Sequence, residues 1–456
     1  ISRSKSKRSG SSSGSAGVAL LLGAGAALLV ACTATKEEPS LSRPVLGEEL
    51  PPIPVPAADG PKLGALADVT PVLERPEEGG KQVGYLHAGA RVARAEEAFS
   101  IEGCPGGWYP LRPRGFACVG TTATLDLGHP TLVAMSIQPR RDQPLPYVYA
   151  RTRQPSRLLK RAPDEDTRVA TLRKLPARSG LAVVGSWTAA DEGGKPLRLG
   201  LLTSGLFVPA EDLEAAKASE FQGVELPEGL DSLPVAFVVK QGVRTFSPTR
   251  ESKTWKEGAP LTYHQSLRLT GRYRTSGSVQ YWAVDDTTWV RHRDVTVVRR
   301  RSEFPDFATG DQRWIDVSIV TGTAVLYEGR KPVFATLVSV GRDRLGDPKT
   351  TASTAQGDFE VVSKHVTGAG LDPAKLGDQG ETYDVPWVME LSSGQLMHGA
   401  YWHDRFGIEH GPGSVQWSPA DAQRVWAWAT PEVPDGWHGV NERPEGAPKT
   451  LIRIRK

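Results

Sequence analysis

Apolar residues in this chain come in short runs that alternate with polar ones and are cut every few positions by glycine or proline. Gln82-Val83-Gly84-Tyr85-Leu86, Ala90-Arg91-Val92, Gly115-Phe116-Ala117-Cys118-Val119 and the stretches 323–329 and 333–341 all follow this pattern. A period of two is that of a half-buried strand, and runs this short do not supply the several turns of an amphipathic helix. With 48 glycines and 36 prolines available as breakers, the sequence predicts a mainly β protein of short strands and tight turns. Its 456 residues exceed one ordinary core, so about three or four domains are expected. The 55 basic and 52 acidic residues are interspersed and leave a formal charge of only +3. No basic face is implied, and nucleic acid is not an expected partner.

The N-terminus has a different composition. Lys5, Lys7 and Arg8 precede a Ser/Gly stretch and then an apolar run from Val18 to Val30, which is short for a bilayer span and has the layout of a signal peptide. The run ends in Leu29-Val30-Ala31-Cys32, which resembles the lipobox of bacterial lipoproteins. The resemblance implies cleavage after residue 31 and a lipid anchor on Cys32. Residues 32–62 are rich in Pro, Glu, Ala and Ser and are expected to form a flexible tether. Thr33, rather than an aspartate, follows the anchoring cysteine; by analogy with lipoproteins of double-membrane bacteria this implies the periplasmic face of the outer membrane.

The two remaining cysteines, Cys104 and Cys118, lie close together, and in an exported chain such a pair is expected as a disulfide. The alternative is a metal site, but His87 has no second histidine near it in sequence. Around residues 63–125 the glycine-punctuated strands, with Trp108-Tyr109 and a closing Phe116 to Val119 strand, resemble a bacterial SH3-like barrel. Two later stretches, 140–225 and 232–300, close in a comparable way, Phe207-Val208 and Trp289-Val290 each preceding an acidic-aliphatic step. Three tandem small barrels are therefore expected, with a short helix over 210–221. If SH3-like, they imply binding of peptide or cell-wall stems. Trp108, Tyr109, Trp282 and Trp289 are candidates either for such grooves or for the core.

From Trp314 onward three strands follow one another through glycine turns: Trp314-Ile315-Asp316-Val317, residues 323–329 and residues 333–341. Thr354-Ala355-Gln356-Gly357-Asp358-Phe359 and His398-Gly399-Ala400-Tyr401-Trp402-His403-Asp404-Arg405-Phe406-Gly407 come next. Together, over residues 310–440, they resemble the L,D-transpeptidase (YkuD) domain, a β-sandwich, with residues 441–456 left as a tail. The resemblance implies acyl transfer on peptidoglycan stem peptides by a cysteine nucleophile with a histidine beside it, and no cofactor. His398-Gly399 fills the first part of the family motif. The second part, Ser-His-Gly-Cys-Val-Asn, falls on Gly411-Pro412-Gly413-Ser414-Val415-Gln416, so Ser414 occupies the nucleophile position beside Gly413, and Pro412 the position expected to hold the base.

His410 is then the candidate rescue base, and Tyr401, Trp402 and His403 are expected to wall the substrate cleft. The group His398, His403, Asp404, Glu409 and His410 matches no established zinc spacing, and no metal is expected. The sequence thus predicts a lipid-anchored protein of the cell envelope that meets peptidoglycan and, through its lipid, the membrane. Its transpeptidase-like domain is expected to be catalytically impaired and to serve wall binding or scaffolding. The alternative is an active transpeptidase using Ser414.

Overall fold

The computed structural model describes residues 52–162, 165–249, 254–368 and 384–456. The leader, Cys32 and the tether up to residue 51 lie outside the described residues. The end of the tether is packed: Ile53 lies against the cluster of Leu73, Cys104, Trp108 and Phe116, and Arg112 donates to the Pro56 carbonyl at 3.0 Å.

The described chain is mainly β, as its alternating runs require. Strands Lys62–Ala65 to Ala123–Thr124 form two small sheets, and a disulfide joins Cys104 to Cys118. From Val148 to Ala215 runs a seven-stranded sheet. Glu165–Leu175 pairs with both Ser156–Ala162 and Gly180–Ala190, so five of its strands close into a ring. Residues 235–298 give a three-stranded and a five-stranded sheet.

The helix expected over 210–221 does not form. Ala210–Asp212 is a single 3-10 turn, and Leu213–Ala215 is taken as a strand by Val148–Thr152. The stretch after Trp289–Arg291 has the same course: a 3-10 turn at His292–Asp294, then the strand Val295–Val298. Trp108, Tyr109, Trp282 and Trp289 are all buried, so they pack cores and do not line grooves.

In the C-terminal region Arg313–Ser318, Thr323–Glu328 and Lys331–Leu337 form an antiparallel meander. Residues 441–456, read from the sequence as a tail, complete the sheet instead. Leu451–Arg455 runs parallel to Arg313–Ser318 on one side and antiparallel to Gly357–Thr367 on the other. The parallel partner, apolar at Ile452 and Ile454, fills a slot between two strands that would otherwise expose unpaired backbone.

The first segment is not a separate body. Gly84 and Tyr85 pair with Val440 and Gly439, joining its four-stranded sheet to that of the C-terminal region. One core contains Leu63, Val72 and Leu86 together with Ile315, Trp417 and Val440. His87 adds a polar tie, its ring nitrogens 2.7 Å from the carbonyl oxygens of Asp68 and of Thr203 in the second segment.

Helix Pro419–Trp428 covers this core through Ala422, Val425 and Trp426. It starts sharply because Ser418 Oγ accepts from the Asp421 N–H at 3.2 Å and Pro419 needs no partner for its nitrogen.

Candidate active site

Two short strands create the site. Leu396–Gly399 and Val415–Trp417 pair in parallel with His398 opposite Gln416, which brings residue 414, just before the second strand, alongside His398. Residues 400–414 form the connection that a parallel pair needs. His398 Nε2 lies 3.1 Å from Ser414 Oγ, and His398 Nδ1 lies 3.1 Å from the Gly399 carbonyl oxygen. The side chain beside Ser414 Oγ is thus His398, not Pro412, whose ring is exposed. The His410 ring packs edge-on against that of His403 at 4.3 Å. Pro412 neighbours Ser414 in the chain, whereas sheet register brings in a histidine from sixteen residues upstream.

The hydrogen bonds fix a direction. The Arg405 N–H donates to His403 Nδ1 at 3.1 Å, so His403 carries its proton on Nε2 and donates it to Gln416 Oε1 at 2.7 Å. The Gln416 amide then points its N–H groups at Ser414 Oγ, 3.4 Å away. With Gly399 accepting from Nδ1, His398 offers a bare Nε2 to the Ser414 hydroxyl, the orientation of a general base. Gln416 and His403 were not singled out as a relay from the sequence. The one available signal was that glutamine, where the family has asparagine, coincides with Gly411 where it has serine. A Cβ on Gly411 would collide with the Gln416 amide, so the smaller residue makes room for the longer one.

Gly413 is placed by its conformation and its carbonyl. Its φ of 116° suits glycine, and its oxygen accepts from Thr354 Oγ1 and Gln395 Nε2, each at 3.0 Å. Trp402, half-buried, stands 5.8 Å from the His398 ring and can wall the site, as can His403. Tyr401 cannot. It is fully buried against Tyr149, with its hydroxyl on the Asp384 carbonyl at 3.0 Å.

Burial dominates the electrostatics. It lowers His398 to about 4, and the Gly399 carbonyl only partly offsets it. His403 is pushed down to about 3, by burial first and also by the neighbouring His410, His398 and Arg405. Both rings are neutral near pH 7. His398 is oriented by a backbone carbonyl rather than a carboxylate, so an imidazolium formed there gains little support. Asp404 and Glu409 turn elsewhere, to His264 and Arg344. Among the described residues, no group of three or more His, Cys, Asp or Glu gathers as a metal site.

Residues 312–448 match the L,D-transpeptidase catalytic domain (YkuD). Among curated proteins there is no match. Solved structures with some similarity include an L,D-transpeptidase from Xylanimonas cellulosilytica, 16% identical over 34% of this chain and 65% of that one, with a TM-score of 0.24. The chain thus spans less than two thirds of that structure's length. Another is the L,D-transpeptidase from Mycobacterium smegmatis, 14% identical over 54% of this chain and 89% of that one, TM-score 0.23. L,D-transpeptidase 1 of Mycobacterium tuberculosis is 18% identical over 52% and 97%, TM-score 0.21. The YkuD match takes in every residue from His398 to Gln416, and the sheet described above continues past it to Arg455.

Proposed function

We propose that this protein acts at the cell envelope, where its YkuD cleft holds peptidoglycan stem peptides while its acyl-transfer chemistry is impaired. The observation that carries this reading is the pair His398 Nε2 and Ser414 Oγ, 3.1 Å apart. The geometry is that of a nucleophile and its base, but the groups are poorly matched. A thiol near its reference value of about 8.5 yields thiolate to a neighbouring histidine, whereas a serine hydroxyl needs a strong base. A buried imidazole lowered to about 4 is a weak one. The impairment is one of chemistry, not of placement.

The polarised chain from His403 through Gln416 to Ser414 favours a second reading, an active serine acyltransferase that forms or exchanges stem-peptide cross-links. One experiment separates the two. Wild type, Ser414→Ala and Ser414→Cys are incubated with tetrapeptide muropeptides, and carbapenem adducts are read by mass spectrometry. Under the first reading wild type equals Ser414→Ala, while Ser414→Cys gains cross-linking by about a hundredfold or more and takes a carbapenem. Wild-type product that disappears in Ser414→Ala establishes the second reading. An inert, unacylated Ser414→Cys protein refutes the assignment of this cleft to stem peptides.

The remaining expectations form part of the same proposal. Anchoring through lipid on Cys32 would present the cleft to the wall, and Cys32→Ser should move the protein from the membrane to the soluble fraction. The segments over 63–125, 140–225 and 232–300 are proposed as SH3-like modules. The closed ring of strands in the second supports this; the sheet that the first shares with the YkuD domain makes it part of the scaffold rather than a free binding unit.

A further inference from the structure

On the sheet face away from the shared core, a cavity of about 720 Å³ opens between the strand Val295–Val298 with the residues after it and the surface formed by Arg313–Ser318 and Thr323–Glu328. Its floor is polar for a reason of register. Asp316 and Ser318 alternate with buried Ile315 and Val317, and so face the third segment, as does Thr323 opposite Ser318. Asp316, buried, takes two cations at once. Arg455 grips it through Nε at 3.0 Å and Nη2 at 3.0 Å, and Arg301 reaches it through Nη1 at 2.6 Å.

One carboxylate between two guanidiniums leaves a positive charge over, Arg301 being largely enclosed and Arg455 half-exposed, and an anion entering the cavity would offset it. The rest of the lining does not remove it. Arg300 is paired with Asp231, outside the cavity, and the other acidic residue of the lining, Glu303, is exposed to solvent. Arg453 and Asp358, beside Asp316 on the same face of the sheet, neutralise each other. His292 is neutral: the Trp282 indole N–H donates to its Nδ1 at 3.1 Å, and burial together with the Arg299 charge lowers it. Arg299 lies over the Trp282 ring at 5.0 Å, so its guanidinium is held at the mouth by an aromatic face rather than by a carboxylate.

We propose that this cavity is a second ligand site, separate from Ser414, which takes a singly charged oxyanion between Arg299 and the Arg301–Asp316–Arg455 triad. Guanidinium forks match such oxygens in two-point contacts. Along one wall Thr321 and Thr323 share a hydrogen bond of 2.7 Å, which leaves one of the two hydroxyls to donate to a ligand, while the Ser318 hydroxyl donates to the Lys456 oxygen at 3.3 Å. Two sources in an envelope carry this chemistry, the phosphodiester of a lipid headgroup or envelope polymer and the carboxylate of a wall sugar.

The test uses the full chain and two soluble probes, glycerophosphoglycerol for the phosphodiester and N-acetylmuramic acid for the carboxylate, titrated by calorimetry at low and moderate salt. Saturable binding of either probe is expected, weakened about tenfold or more by Arg299→Ala and abolished by Arg299→Glu, with Arg274→Ala and Ser414→Ala unaffected. Arg274 is a suitable control because it also rests on a ring, that of Trp289 at 5.0 Å, and does not line the cavity. The probe that binds identifies the source. No binding of either probe, or binding that Arg299→Glu leaves intact, overturns the site, and neither result depends on whether Ser414 reacts.

Discussion

Replacing Asp384 with asparagine should make the protein more stable near pH 8 and remove a pH dependence that wild type shows. The carboxyl is buried where the second segment meets the YkuD domain. Thr203 Oγ1 donates to it at 3.0 Å, and Tyr149 and Tyr401 close over it. Burial pushes it from an ordinary 3.8 up to about 7, outweighing the hydrogen bonds from Thr203, Thr367 and the backbone that favour the ionised form. Between these values the folded chain keeps a proton that the unfolded chain has released, so stability falls as pH rises through the window and levels off above it. The whole displacement corresponds to about 4 kcal/mol, of which about 2.5 kcal/mol falls between about pH 5 and pH 8. Asparagine keeps an oxygen for Thr203, and its amide has the buried Tyr149 hydroxyl, which lacks a partner, within the same cluster. Urea unfolding followed by tryptophan fluorescence at both pH values gives the comparison. The gap between variant and wild type should widen in favour of the variant by about 2–3 kcal/mol from the lower pH to the higher. An unchanged gap would refute the claim that Asp384 folds with a raised pKa.

Lys364 should act in the opposite sense. Burial lowers its ammonium to about 7 even though Nζ donates to the Trp426 and Ala429 carbonyls at 2.5 Å, so wild type should gain stability relative to Lys364→Met as pH rises from about 7 to about 10. Gly84→Ala would place a methyl 2.5 Å from the Trp437 ring and 2.6 Å from the Gly439 oxygen. It should cost about 1–3 kcal/mol and lower the melting of the YkuD domain along with that of the first segment, as measured by calorimetry. Reducing the Cys104–Cys118 bridge, which closes a separation of 14 residues, should cost about 3 kcal/mol, seen as a lower melting temperature in reductant and reproduced by a double serine variant.

What the sequence made legible was local. The meander from Arg313 to Leu337 could be read because its apolar residues alternate within strands and glycines mark its turns. The position of Ser414 followed from a short contiguous motif. The partner of that serine was harder to see, since the base was sought at Pro412, inside the motif, while parallel pairing of two short strands brings in His398. Nothing within either strand records which neighbour it will choose. The same limit hid Leu451–Arg455, whose partners lie far back in the chain, and the helix expected at 210–221, which lost to an available strand edge at Val148–Thr152. Tyr401 was misplaced because aromatic residues beside a motif look alike whether they face a cleft or a core.

The position of Leu451–Arg455 in the middle of the sheet carries a consequence for biosynthesis. The strands on either side of it, Arg313–Ser318 and Gly357–Thr367, emerge from the ribosome roughly a hundred residues earlier and have no neighbour in that slot until it arrives. A nascent chain halted before residue 451 holds two open sheet edges facing each other, which are sticky templates for other chains. Synthesis and folding are thereby placed in order: the sheet closes only after this strand has been made. Loss of those few residues should accordingly be felt as degradation or aggregation rather than as a mild shortening.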